Sequence, residues 1–227
     1  MWGIAKKAVA NIQQVTQDVI RQRSRYPNNV TQQDFLRECA WAVLVAGMKV
    51  RAIEMRWDAL QNAFMNWDCS AIRQNKHAVY GEAIGIFGNK RKISAIINIA
   101  KHLDKYGWNS IKSNLLAGSH KDKLGNLIPS PQLLTSLQQL PQVGEVSAIF
   151  IAKNLGFDLA KPDVWLLRLT SGLDYGDSTD AVQQMAYDIS QLVGERIGVV
   201  ETILWNACRI GTNLNFLCTQ CGNHRKF

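Results

Sequence analysis

Apolar residues recur along this chain at three- and four-residue spacing, and no stretch of any length alternates with the two-residue period of a strand. Ile4, Ala8, Ile12, Val15, Val19 and Ile20 form one stripe of an amphipathic first helix. Tyr26-Pro27-Asn28-Asn29 breaks it. Thr31 is placed to cap a second helix with Asp34 in its first turn, and the apolar run from Phe35 to Val45 reads as largely buried. Gly47 punctuates that helix, and Ile53, Trp57, Leu60 and Phe64 continue on a new one. Trp67-Asp68 starts another short element, and Val79 to Phe87 and Ile93 to Leu103 are further helices. Gly118 to Ser130 holds two Gly, one Pro and several charges, so it reads as a loop and a candidate boundary between lobes. Helices follow at 131–140, 145–154, 179–192 and 199–207. No internal repeat interrupts this pattern.

Composition narrows the partners. A chain of 227 residues can build one or two lobes with a real core. Its net charge of +8 suits a polyanion. The charge is spread over Lys6-Lys7, Arg21 to Arg25, Lys90-Arg91-Lys92, Lys121 to Lys123 and Arg225-Lys226, as on a folded basic surface rather than a basic tail. No apolar stretch approaches the roughly 20 residues needed to span a bilayer, so no membrane partner is expected. Met1 to Lys7 does not read as a signal peptide, and five cysteines without framework spacing suit a reducing compartment. The expected location is cytoplasmic, at the nucleoid in a bacterial host.

Two local features carry chemistry. The first is Leu140-Pro141-Gln142-Val143-Gly144. The helix at 131–140, with Leu133, Leu134, Leu137 and Leu140 spaced helically, stops at Pro141, which lacks a donor. Gly144 can take a positive φ, and Glu145 to Asn154 then forms a second helix with Val146, Ile149, Phe150 and Lys153 on one face. The start of that second helix has unpaired N–H groups that attract an anion. An ordinary helix–helix connection reads the same way. The second feature is Asp163, between Pro162 and the apolar run Val164-Trp165-Leu166-Leu167-Arg168-Leu169. It is a natural N-cap, and a cap needs no catalytic role.

Together the two features resemble the helix-hairpin-helix DNA glycosylase superfamily, which includes endonuclease III and the alkyladenine glycosylases. Leu-Pro-x-Val-Gly, a helix ending at Gly156, then Asp163 and Arg168-Leu169 carry the likeness, and the spacing from Gly144 to Asp163 is similar to the family's. Phe35 to Leu60 and Gly88 to Ile93 resemble the family's first core helices and its basic helix start. The resemblance implies an all-α fold of two helical lobes with a central DNA-binding cleft. It implies an N-terminal helix (1–30) packed on the C-terminal lobe, a first lobe (31–120), and a helix-hairpin-helix lobe (121–227) carrying the catalytic Asp. It implies a monomer on double-stranded DNA with one nucleotide flipped into a pocket.

In that setting Asp163 would stabilise the positive charge that builds on the sugar as the N-glycosidic bond breaks, and would orient or deprotonate the attacking water. Family members that also cut the strand carry a Lys two residues after the hairpin Gly. Val146 stands there, and valine is no nucleophile. The expectation is a monofunctional glycosylase that leaves an abasic site. Lys49 and Lys161 are the substitutes to consider, and each reads better as a phosphate contact. Gln142, Val143, Gly144, Val146, Ser147, Met48, Lys49, Lys90, Arg91 and Lys161 are the expected DNA contacts, and Trp41, Trp57 and Trp165 the candidate base pocket.

The chain departs from the family in places. Gln142 replaces the first hairpin Gly, Glu145 stands where basic residues are common, and Ala46-Gly47-Met48-Lys49 does not copy the usual duplex-wedging segment. Cys208, Cys218, Cys221 and His224 lack the fourth Cys of an iron–sulfur site, so no cofactor is expected. A Cys₃His zinc site is the alternative to free thiols there. Cys39 and Cys69 read as core. Two other functions stay open: a defence glycosylase acting on hypermodified phage DNA such as glucosylated hydroxymethylcytosine, and a non-catalytic DNA-binding module.

Overall fold

The first apolar stripe folds as two helices, α1 (Trp2–Val9) and α2 (Gln13–Ser24), because the backbone is extended at Ile12. The break rotates the stripe out of register. Ala5, Val9 and Val15 are buried, while Ile4 and Ile20 face solvent. The computed structural model describes residues 1–211, and the elements after α2 are α3 (Gln32–Val45), α4 (Val50–Glu54), α5 (Trp57–Ala63), α6 (Cys69–Gln74), α7 (Lys76–Phe87), α8 (Lys90–Tyr106) and α9 (Trp108–Ala117). Two short paired strands follow, β1 (Ser119–Lys121) and β2 (Leu127–Pro129), where the sequence suggested only a loop. Asp122 closes the turn between them, its Oδ1 accepting from the N–H of Leu124 and of Asn126 at 2.9 and 2.7 Å. The chain then forms α10 (Pro131–Gln138), α11 (Glu145–Asn154), α12 (Val164–Gly172), α13 (Thr179–Val193) and α14 (Ile197–Arg209).

These elements fall into two units that do not follow chain order. One holds residues 26–120 with 129–155; the other holds 1–25, 121–128 and the chain from Gly156 onward. The hairpin helices α10 and α11 therefore group with the first half of the chain, not with Asp163 as the 31–120 and 121–227 division supposed. The physical reason lies in α11. Ala148, Ile149, Ile151 and Ala152 are its buried positions, and it packs on α3, where the Asn154 amide donates to Glu38 Oε2 at 2.9 Å. Of the face drawn from sequence, Ile149 and Lys153 are buried and Phe150 is half-buried, while Val146 is 45 % exposed.

The hairpin unit is built on α3 and α8. Thr31 and Asp34 form a reciprocal capping box at the start of α3, as their spacing suggested. Phe35, Leu36, Cys39, Val43 and Leu44 of α3 and Ile93, Ile96, Ile99 and Leu103 of α8 are buried. Lys92, in the first turn of α8, turns inward. Its Nζ donates to the carbonyls of Val43, Leu44 and Ala46 at 2.7, 2.9 and 2.5 Å, and burial lowers its pKa. A cation there satisfies orphan carbonyls at the C-terminus of α3 and complements its dipole. It also fixes where the segment 46–49 leaves the helix. Cys39 and Cys69 are buried thiols, and desolvation pushes the Cys69 thiol up to about 12.

In the other unit α1, α2, α12 and α13 pack on α14, whose Val199, Val200, Ile203, Leu204 and Ala207 form the centre of the core. Beside that core sits a buried polar knot. The Arg196 guanidinium donates to the carbonyls of Gln22, Arg25 and Gly156 at 2.5, 2.8 and 2.7 Å. Asp158, fully buried, accepts from the Gly198 N–H at 2.9 Å and lies 3.7 Å from Arg196 Nε. Burial pushes the Asp158 carboxyl up from its ordinary value, and the Gly198 N–H and Arg196 charge draw it back. A Cβ at Gly198 would meet Gln22 Oε1 at 2.9 Å, so the Gln22 side chain would have to shift to admit one. Replacing Arg196 by Ala orphans three carbonyls and a buried carboxylate. The expected loss is about 3 kcal/mol or more in a urea titration, and a loss below about 1 kcal/mol would contradict this account.

Candidate nucleic-acid and catalytic sites

The hairpin begins with α10, which Ser130 caps through its hydroxyl (3.2 Å to the Leu133 N–H) and which ends before Pro141. Its turn differs from the sequence expectation in one respect. Gly144 is extended (φ −92°, ψ −177°), and the left-handed position is Gln142, at φ 62°. The non-Gly residue at the family's first Gly position thus bears the conformational strain. The Val143 side chain is buried and anchors the turn, while Gln142, Gly144, Glu145 and Val146 are exposed and Ser147 is half-buried. No side chain caps α11. The amides of Glu145, Val146 and Ser147 lie in its first turn, where N–H groups have no intrahelical partner. What this hairpin offers is backbone, at the positive end of a helix dipole. Gln142→Gly removes the left-handed penalty, partly offset by a looser unfolded chain. It is expected to raise stability by about 0.5–1 kcal/mol, read from the denaturant midpoint; a loss of stability would refute the strain at this position.

Elsewhere in the hairpin unit, Met48 is 42 % exposed and Lys49 is exposed, on the segment that Lys92 anchors. Val50 and Met55 are also exposed, with Arg51 and Arg56 between and beyond them. An apolar wedge edged by cations is the combination that enters a base step. Lys90 and Arg91 are exposed at the start of α8, capped by Asn89, while their neighbour Lys92 is spent on α3. Trp41 and Trp57 are half-buried and meet edge to face at 4.9 Å. Trp57 continues onto Trp67 at 5.1 Å, and Trp67 stacks on Phe64 at 5.3 Å. This ladder packs over a left-handed run at Met65, Asn66 and Trp67 (φ 51°, 52° and 68°), so it holds a strained corner of the fold.

In the other unit the chain leaves α11 through Gly156 (φ 100°) and reaches Asp163 after Lys161 and Pro162. Asp163 is the N-cap of α12. Its Oδ1 accepts from the N–H of Trp165 at 3.0 Å and of Leu166 at 3.1 Å. Its Oδ2 accepts from the indole Nε1 of Trp205, on α14. Asp163, Trp165, Trp205 and Lys161 are all half-buried. The Arg168 guanidinium lies 5.6 Å from the centre of the Trp165 ring, and Arg209 lies 5.1 Å from that of Trp205. The site is a carboxylate held by two backbone N–H groups and one indole N–H, with a guanidinium over the Trp165 ring and another over the Trp205 ring. Sequence reasoning found Asp163 and Trp165 and missed Trp205, Arg168 and Arg209 as a group. Trp205 stands 42 residues from its partner, and no local spacing announces the pair.

Cys208 is half-buried on α14, whereas Cys218, Cys221 and His224 lie outside the described residues. Among the described residues no three His, Cys, Asp or Glu side chains are grouped as metal ligands, and no helix is long and apolar enough to cross a membrane.

These features define a fold class, the all-α helix-hairpin-helix glycosylase fold. Among solved structures the chain is similar to the 8-oxoguanine glycosylase/lyase of Methanocaldococcus jannaschii, solved in complex with a 15mer DNA containing 8-oxoguanine. The TM-score is 0.62 and the identity 15 %, with 93 % of this chain and 98 % of that chain covered. No family model and no curated protein matches the chain.

Proposed function

We propose that this protein is a DNA glycosylase that hydrolyses the N-glycosidic bond of a damaged or modified base in duplex DNA and leaves an abasic site. The observation that carries the reading is the Asp163 carboxylate. A cap needs one oxygen, and Oδ1 supplies it; Oδ2 is held separately by Trp205. In a fold shared with a DNA glycosylase/lyase, a half-buried carboxylate held this firmly at a helix start suits a sugar carrying positive charge. The flipped nucleotide is the form in which that sugar becomes reachable. Backbone amides at the start of α11 grip phosphate, with Lys49, Lys90, Arg91 and Lys161 adding charge and Met48 filling the space left in the duplex. The protein acts as a monomer without a cofactor.

The test is a screen of duplex oligonucleotides, each with one alkylated, oxidised, deaminated, mismatched or glucosylated hydroxymethylcytosine base, followed by hot alkali. One class is expected to yield breaks, and Asp163→Asn to lower excision by about 100-fold or more while duplex affinity is kept. Breaks from no duplex would leave a DNA-binding module in place of an enzyme, and an Asp163→Asn variant as active as wild type would take the chemistry away from Asp163. Excision of the glucosylated base alone would identify a defence enzyme.

Base removal without strand cleavage follows from Val146, which stands where a lyase of this fold needs an amine and presents an alkyl side chain to solvent. Borohydride added during turnover is expected to trap no protein–DNA adduct. An adduct mapped to Lys49 or Lys161 would make the protein a lyase with a relocated amine.

A further inference from the structure

We propose that Trp205 is a positioning residue for Asp163, holding its carboxylate in the one orientation that serves bond cleavage; this rests on the glycosylase reading above. The argument begins with degrees of freedom. The terminal torsion of an Asp side chain has a broad, nearly two-fold well. Two N–H groups on Oδ1 tether one oxygen to the helix start but leave the other free to swing about it. A third donor, arriving from a different element, removes that swing. Trp205 Nε1 is that donor.

The indole suits the task because it donates one hydrogen bond and accepts none, so it cannot take a proton from the carboxylate or from water. Its own position is fixed. α14 is buried over most of its length, and Arg209, one turn beyond Trp205, covers the ring and donates to Asn206 Oδ1 at 3.4 Å. Three N–H groups thereby occupy three of about four acceptor directions of the carboxylate. One direction is left open.

Folding alone does not require this contact. Trp205 is half-buried, so water can satisfy its N–H, and the cap of α12 is complete through Oδ1. The contact instead couples the reacting carboxylate to the most buried helix of its unit. Small displacements of a reacting group are costly, about 100-fold in rate for about 1 Å.

The test uses the full-length protein and the duplex it excises best. Trp205→Phe keeps the ring and loses the donor. It is expected to lower kcat by about 10- to 100-fold with KM for the duplex within about twofold, and Trp205→His, which restores a ring N–H, to recover part of the loss. Wild-type kcat in Trp205→Phe overturns the proposal, as does a loss carried by KM. A second readout needs no substrate. In ¹⁵N-labelled protein, the Trp205 indole N–H resonance is expected to shift and to exchange faster with solvent in Asp163→Ala. An unmoved resonance overturns the contact while leaving the glycosylase reading standing. A wild type that excises from no duplex overturns that reading, and the positioning role with it.

Discussion

The Arg196 guanidinium is the constraint on which the arrangement of this chain depends. It is a buried cation whose hydrogen bonds go to carbonyls of residues far apart in sequence: Gln22 and Arg25 at the end of α2, and Gly156 just past α11. The chain passes between its two units at 25–26, 120–121, 128–129 and 155–156. Gln22, Arg25 and Gly156 all belong to the unit that carries Arg196, which thus ties its N-terminal segment to its C-terminal one. Asp158, its acidic neighbour, donates its own N–H to the Leu127 carbonyl at 2.7 Å. A guanidinium suits this role better than an ammonium, because its planar fork keeps donating when only backbone oxygens face it. Asp158 supplies the charge that makes its burial tolerable, and the raised carboxyl pKa marks how strongly desolvation weighs there.

The knot explains how a discontinuous unit stays whole. The long segment from Gly156 onward starts at this point, runs through the linker to Asp163, and returns as α14, whose first residues Ile197 and Gly198 follow Arg196 directly. Asp163 and Trp205 are therefore borne by two stretches of chain that are both fastened near the same ion pair. Gln183, on α13, adds a second fastening for the linker, its side chain bonded to both the N–H and the carbonyl of Ala160. The carboxylate at the start of α12 is oriented by the three N–H groups that touch it, and this framework holds the chain that bears them.

Sequence made the elements legible wherever the cause was local. The Thr31 and Asp163 caps, the start of an element at Trp67-Asp68 and the helical spacing of α3, α8 and α13 are short-range physics, and the hairpin motif pointed to the fold. What sequence could not show was long-range. A periodic stripe does not reveal that α1 and α2 are separate helices, because a break at Ile12 depends on packing against α14. Lys92 reads as one cation of a basic run, and only the fold shows it turned into the end of α3. The unit boundary was misplaced for the same reason, since α11 belongs where Glu38 and Asn154 meet, 116 residues apart.

The two parts of the site divide their dependence on sequence differently. A hairpin that presents amides needs a backbone path and a helix start, and many side chains allow both. Gln142 in a left-handed turn, Glu145 and Val146 are departures that leave the α11 amides where they are. A carboxylate has no such latitude. Asn in place of Asp163 could still cap α12, but it would bring no charge to an oxocarbenium-like sugar. The fold is shared at 15 % identity.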